Sequence, residues 1–160
     1  MILQLRRLAG WAAILAYLIT GAVLYFRVLP GADWLWPPDF HLTGYDAQSI
    51  APFLDALSGP ARDGYARVLG LYDRVFIVAL AVWMALTGWR GSGLRYFVVG
   101  LAMVYALIDL AENAAILRLL DAGDGLDGFA AAAHHLTMAK FASLYLCVLV
   151  LIVHLRRSRT

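Results

Sequence analysis

The sequence predicts an all-α membrane protein, a polytopic four-helix bundle with a short amphipathic helix in its outer loop. Of its 160 residues, 62% are hydrophobic and only 15% charged, with a mean hydropathy of +0.73. A soluble domain is about half apolar and about a quarter charged. The uncharged runs Leu8 to Phe26, Val75 to Trp89 and Phe141 to Val153 leave no room for a charged surface. The cations, in turn, gather where membrane helices end. Nucleic-acid binding proteins, secreted disulfide scaffolds and cytosolic enzymes are excluded on these grounds. Cys147 is the only cysteine, so a quinone-linked disulfide-forming enzyme, which needs paired thiols, cannot be run by this chain alone. Among Leu and Val neighbours, Cys147 reads as an inert core thiol.

The chain reads as a single domain, 1–160, with spans at 8–29, 69–89, 96–117 and 129–155, each close to the ~20 residues that cross a ~30 Å hydrocarbon layer. Arg6 and Arg7 precede the first span, Arg90 and Arg95 fill the short second connection, and Arg156, Arg157 and Arg159 close the chain. The positive-inside rule then places both termini and the middle loop in the cytoplasm, with the chain in a bacterial inner membrane. All eleven Asp and Glu residues lie in the two outward loops or the spans. Arg6 and Arg7 before an apolar run also have the shape of a signal peptide. The length of that run and the lack of a small-x-small cleavage site favour a retained span. Trp34, Trp36 and Trp89 are placed as interfacial anchors.

The outer loop, 30–68, is too short for a core of its own. Asp46 is set as the N-cap of a short helix through Leu57, with Tyr45 before the cap able to staple onto Ile50, and Ser58-Gly59 ending it. Ile50, Phe53, Leu54 and Leu57 then share one face, and the helix either lies on the membrane or caps the bundle. Pro60 suits the first turn of a following helix that runs through Tyr65 and Asp73 into the second span.

The informative residues are the ionisable ones inside the spans, because each costs roughly 2.5 to 3.5 kcal/mol at mid-bilayer on insertion scales. Asp109, Glu112 and Asn113 are spaced i, i+3, i+4 and share a helical face. Counted from Tyr96, Asp109 lies ~20 Å and Glu112 ~24 Å along the third span, in its outer half. The fourth span runs the other way, which puts His134 and His135 about 8 Å and Lys140 about 16 Å below its outer end. Lys140 is the only lysine among thirteen basic residues. Asp73, Arg74 and Arg27 enter near the outer ends of their spans. The expected arrangement is an outward-facing polar pocket in which Lys140 pairs with Asp109 or Glu112, and Arg74 or Arg27 pairs with Asp73. Two carboxylates one turn apart repel when both are ionised, which is the basis for expecting proton handling or acid/base chemistry. A structural ion-pair network that orients the helices is the competing expectation. Thr137, Tyr72 and Tyr105 are placed to line the pocket, with aromatic packing the favoured role for the two tyrosines. No second histidine faces His134 or His135 from another span, so a bis-histidine haem is not expected, and no tight ligand spacing supports a metal.

The pattern Gly44-Tyr45, then Leu57, Gly59, Arg62, Tyr65 and Asp73, then Asp109-Leu-Ala-Glu112-Asn113 with Ile116 and Leu120, and finally Thr137 with Lys140, resembles a family of uncharacterised bacterial four-helix integral membrane proteins. The resemblance runs from about Gly44 to Lys140 and implies a fold and a shared polar constellation, with no reaction attached. Family members tend to have a proline or a longer apolar stretch where this chain has the loop Asp121 to Gly128. A looser likeness of architecture is to the four-helix sterol-isomerase and sigma-2-receptor group, which places acidic residues in a pocket within the bundle. It implies that such a bundle can hold an amphiphilic cation or a sterol-like lipid.

The expected function is therefore binding of a lipid or small amphiphile in an intramembrane polar pocket. The expected site residues are Asp73, Asp109, Glu112, Asn113, Lys140, Thr137 and His134. The alternatives are a proton-coupled small transporter working as an oligomer and an accessory or assembly subunit of a membrane complex. The expected partners are membrane lipids and either further copies of the chain or the subunits of such a complex, not nucleic acid. No cofactor or metal is expected. No Ser/His/Asp triad, nucleotide loop or metalloprotease helix occurs in the sequence, and no catalytic residue is assigned.

Overall fold

A computed structural model describes residues 1–89, 93–122 and 125–158 of the chain. Arg90 and Arg159, two of the cations that orient the predicted topology, lie outside them. Helix α1 (Ile2–Val23) continues through a π-helical turn, Leu24–Val28. Two short 3-10 turns, Pro30–Ala32 and Pro38–Phe40, lead to α2 (Ala47–Ala56). Helix α3 (Gly59–Arg67) passes through a second π turn, Val68–Tyr72, into α4 (Asp73–Gly88). Two long helices follow, α5 (Leu94–Leu120) and α6 (Leu126–Arg157).

Four of these continuous helical stretches are long and apolar enough to cross a membrane: Ile2–Val28, Gly59–Gly88, Leu94–Leu120 and Leu126–Arg157. They cover the four predicted spans to within one residue, beginning before each of them and running past the last two. Hydropathy marks only the apolar part of a helix, whereas the backbone hydrogen-bond ladder propagates until a cap or breaker stops it. The second stretch begins at Gly59, with Pro60 in the first turn as predicted.

Helix α5 packs most extensively on α6 and also on α4, while α1 packs chiefly on α4. The buried residues of α1 are Ala9, Ala13 and Ala16, and its large side chains Trp11, Leu15, Tyr17 and Leu18 are exposed. Small residues let α1 approach α4 closely, as helices in membranes do. The interior divides into two apolar clusters. One, at the end that carries the 30–58 loop, is built on Val28, Ile50, Phe53, Leu69, Ile116 and Ala133. The other, at the end that carries the termini, is built on Ile77, Met84, Val98, Ala102, Tyr105 and Cys147. Cys147 is a buried free thiol, as its apolar neighbours predict.

The loop folds back as a lid on the first cluster. Asp46 caps α2 by accepting from the Ser49 backbone N–H at 2.8 Å, while Ser49 Oγ accepts from the Asp46 N–H at 3.0 Å. The Ser49 bond holds the Asp46 carboxyl below its ordinary 3.8. Ile50 and Phe53 are buried, with Leu54 and Leu57 against the same cluster, so α2 caps the bundle by the predicted face. Arg62 donates to the Leu120 carbonyl and, at 2.6 Å, to Asp121 Oδ1, satisfying the carbonyl end of α5. Trp34, Trp36 and Trp89 are exposed.

Gly44 is the tightest joint of the lid. It takes φ +86°, in the left-handed region, and a Cβ there would collide with the His134 imidazole. Gly44→Ala is expected to destabilise the fold by more than about 1 kcal/mol, and Asp46→Ala by about 1 kcal/mol through the lost cap. Thermal unfolding of the purified variants in mild detergent checks both, and an unchanged midpoint for Gly44→Ala would mean the lid does not close on α6.

Candidate functional site

Between the two apolar clusters lies a polar layer, and the three inner helices enter it at the same level. On α4, Asp73 separates Leu69 of the first cluster from Ile77 of the second. On α5, Asp109, Glu112 and Asn113 separate Tyr105 from Ile116, and on α6, Thr137 and Lys140 separate Ala133 from Cys147. The i, i+3, i+4 spacing does put the three α5 side chains on one buried face, at 4%, 0% and 1% exposure.

Lys140 is shared. Its ammonium lies 2.5 Å from Glu112 Oε2 and 3.8 Å from Asp109 Oδ1, and 4.9 Å from the centre of the Phe141 ring. Glu112 Oε1 accepts from the Thr137 hydroxyl, which also bonds back to the Ala133 carbonyl at 3.2 Å. The first bond is charge-assisted and orients the carboxylate toward the ammonium. The rotation of α5 thus gives Lys140 both carboxylates, with Glu112 the nearer.

Asp73 does not pair with an arginine, contrary to the expected Arg74 or Arg27 partner. Its Oδ2 accepts from Asn113 Nδ2 at 2.7 Å. Asp73 and Arg74 are consecutive, so about 100° of helical rotation separates them, and Arg74 is exposed while Asp73 faces α5. Arg27 is also exposed and lines a surface cleft with Asp63 and Arg67. The layer therefore holds three carboxylates and one cation, with the neutral Asn113 bridging to the unpaired side.

His134 stands above the layer and serves the lid: its Nδ1 accepts the Tyr45 backbone N–H at 2.9 Å. His135 is exposed, and among the described residues no group of three or more His, Cys, Asp or Glu side chains is placed to hold a metal ion. Tyr105 is buried with its hydroxyl beside Asp109. Tyr72 is only half-buried against the loop-end cluster.

Two residues of the site escaped the sequence reading. Asp39 comes down from the second 3-10 turn and accepts from the Tyr65 hydroxyl at 2.6 Å, close enough for its charge to act on Glu112 and Lys140. Tyr45, the residue before the α2 cap, is buried as well, with its hydroxyl beside Thr137. The signal for Asp39 is Pro37-Pro38, which fixes the backbone just before it. Nothing in the sequence says where that rigid turn points.

Several buried polar atoms here have no hydrogen-bond partner: Asp109 Oδ1, Asn113 Oδ1 and the Tyr45 hydroxyl oxygen. Glu112 Oε2 also lacks one but faces the Lys140 ammonium. Unmet acceptors in a buried layer are costly unless water or a ligand group supplies donors. Asp109, Glu112, Asn113 and Thr137 are each no more than 4% exposed, so this part of the layer is closed in this conformation. The Lys140 side chain keeps 12% of its surface accessible. Compared with protein-family models, curated proteins and solved structures, the chain matches none.

Lys140→Met and Glu112→Gln are each expected to lower stability by roughly 3 to 5 kcal/mol, since each strands a buried charge. The double variant should recover much of that loss, and equal additive losses in thermal unfolding would show that the two side chains are not coupled. Tyr45 gives a second check, through pH. Burial pushes its phenol from 10.0 up to about 12. The raised value means that its share of stability is full below pH 10.0 and is lost as pH rises toward about 12. Over that window the melting point of the wild type should fall more steeply than that of Tyr45→Phe.

Proposed function

We propose that the chain binds a small amphiphile whose polar head enters the layer around Asp109, Asn113 and Tyr45 and whose apolar part lies along the membrane helices. The observation that carries this reading is the imbalance of the layer: three carboxylates meet there with one ammonium, which pairs with two of them, and the unmet atoms include two pure acceptors, Asp109 Oδ1 and Asn113 Oδ1. A network that served only to fasten helices would neutralise itself, because uncompensated charge weakens the fold. Excess acceptors suit a head that donates hydrogen bonds and carries positive charge, such as an amine. The lid closes the layer from the loop end: Ile50 and Phe53 pack into the core, and the Tyr45–His134 and Tyr65–Asp39 hydrogen bonds tie it to the helices, so a polar head entering from that end would have to lift it.

Proton carriage by an oligomer is a second reading, favoured by one detail. Glu112 is held by Lys140 and Thr137 together, so a proton arriving on Glu112 would free the ammonium. Uptake of protons by vesicles containing the wild type but not Glu112→Gln would support it.

The binding reading is tested with dodecylamine and dodecanoate on the purified chain in neutral detergent. At a concentration about 100 times its Kd a ligand stabilises by about 2.7 kcal/mol, so dodecylamine should raise the melting point clearly and dodecanoate should not. Asp109→Asn leaves the Glu112–Lys140 pair in place and should remove most of the rise. Equal responses to both amphiphiles, or a full response in Asp109→Asn, would refute the site.

A further inference from the structure

The second surface feature of the molecule is a groove between α1 and α4 at the other end. Two clefts of about 310 and 370 Å³ meet there, sharing Gly10, Ile14 and Trp83. The first is the more polar of the two, with Arg6, Arg7 and Thr87 in its lining beside Trp11 and Trp83. The second is almost wholly apolar and runs on past Ala13 to Tyr17, Phe76 and Leu80. The spacing explains why they join. Arg6, Gly10, Ala13 and Tyr17 recur at helical spacing on α1, and Phe76, Leu80, Trp83 and Thr87 do so on α4. Tyr17 and Phe76, with ring centres 5.7 Å apart, close the far end.

Gly10 shapes the middle of the groove. A Cβ at that position would lie 3.0 Å from Trp83 Cδ1 and 3.2 Å from its Nε1. The bare backbone therefore lets the indole lie flat against α1 as a floor. Trp83 is partly exposed, and its Nε1 makes no hydrogen bond with a described residue. Neither Arg6 nor Arg7 forms an ion pair with a described residue, because the acidic side chains lie toward the other end of the helices.

We propose that this groove holds an anionic phospholipid from the leaflet that faces the chain termini. The phosphate sits between Arg6 and Arg7, the Trp83 N–H donates to an ester oxygen of the lipid, and one acyl chain lies along Ala13, Tyr17 and Leu80. Charge decides the head: two cations with no ion-pair partner among the described residues attract an anionic surface. Length decides the tail. Arg6 to Tyr17 spans eleven residues, ~17 Å of helix at 1.5 Å per residue, which matches one leaflet of a ~30 Å hydrocarbon layer. Trp83 is six residues before Trp89, ~9 Å deeper along α4, which places its N–H below the head group, where the acyl chains begin. The site is separate from the carboxylate layer and does not depend on its reading.

The test is native mass spectrometry of the full chain in mild detergent with equal amounts of phosphatidylglycerol and phosphatidylcholine. The wild type should retain phosphatidylglycerol over phosphatidylcholine by on the order of tenfold, the scale expected of two surface arginines. Arg6→Gln with Arg7→Gln should abolish the preference, whereas Arg156→Gln with Arg157→Gln, which removes the same charge from the same end, should leave it. Ile14→Trp, which fills the shared stretch of the groove from an exposed position, should lower retention of both lipids at unchanged helix content. Equal retention of the two lipids by the wild type would overturn the proposal. So would loss of the preference in the Arg156/Arg157 variant, or full retention in Ile14→Trp.

Discussion

One ammonium in the interior sets the geometry of the inner helices. Lys140 can meet Glu112 only if α5 and α6 are rotated so that their polar faces oppose, at depths that bring a point about four turns along α6 to one about five turns along α5. Exposing either group to hydrocarbon costs several kcal/mol, far more than the tenths of a kcal/mol that separate neighbouring apolar packings. Leu, Ile and Val faces slide past one another at little expense in lipid, since tails are as apolar as they are. The Glu112–Lys140 contact and the Thr137 hydroxyl beside it therefore supply the registry that apolar packing alone does not.

The π turns follow from the same layer. A π turn holds one residue more than an α turn, so it shifts the phase of the side chains after it. The turn Val68–Tyr72 ends at Asp73 and aims that carboxylate at Asn113 while Leu69 stays in the core. Its counterpart in α1, Leu24–Val28, packs on α3 and keeps Leu24 and Val28 buried while Arg27 points out. Both distortions lie at the loop end, where the helices meet the lid, and the terminal halves of the same helices are regular.

Different parts of this arrangement were legible in the sequence to different degrees. The four spans are a matter of hydropathy over twenty residues, and the acidic face of α5 is a matter of spacing within one helix, so both can be read from local sequence. The same holds for α2, whose cap lies in Asp46 and Ser49 and whose buried face lies in Ile50, Phe53 and Leu57. What was not legible is how one element turns toward another. The Asp73 partner depends on a π turn that no residue type marks, and the sequence offered two nearby arginines that in fact face outward. Asp39 depends on the direction in which two prolines throw a loop. The position of α1 beside α4, outside the inner three helices, is a tertiary choice among faces of nearly equal hydrophobicity. The alanines Ala9, Ala13 and Ala16 are compatible with it without dictating it.

The choice of lysine at position 140 is itself informative. The other twelve basic residues are arginines, so lysine here is not a matter of habit in this sequence. A guanidinium carries five donors in a rigid plane and keeps its charge under all physiological conditions. In a layer whose acceptors come from one face of α5, an arginine at this position would leave donors without partners in the core, beside Phe141 and Thr137. An ammonium is compact, and its three donors can turn between Glu112 and Asp109 as either carboxylate gains or loses a proton or a ligand. The 2.5 Å and 3.8 Å distances are those of a cation resting on one acceptor with the other within reach. A compact ammonium can move between two such acceptors without leaving donors stranded, which a rigid guanidinium at the same position could not do.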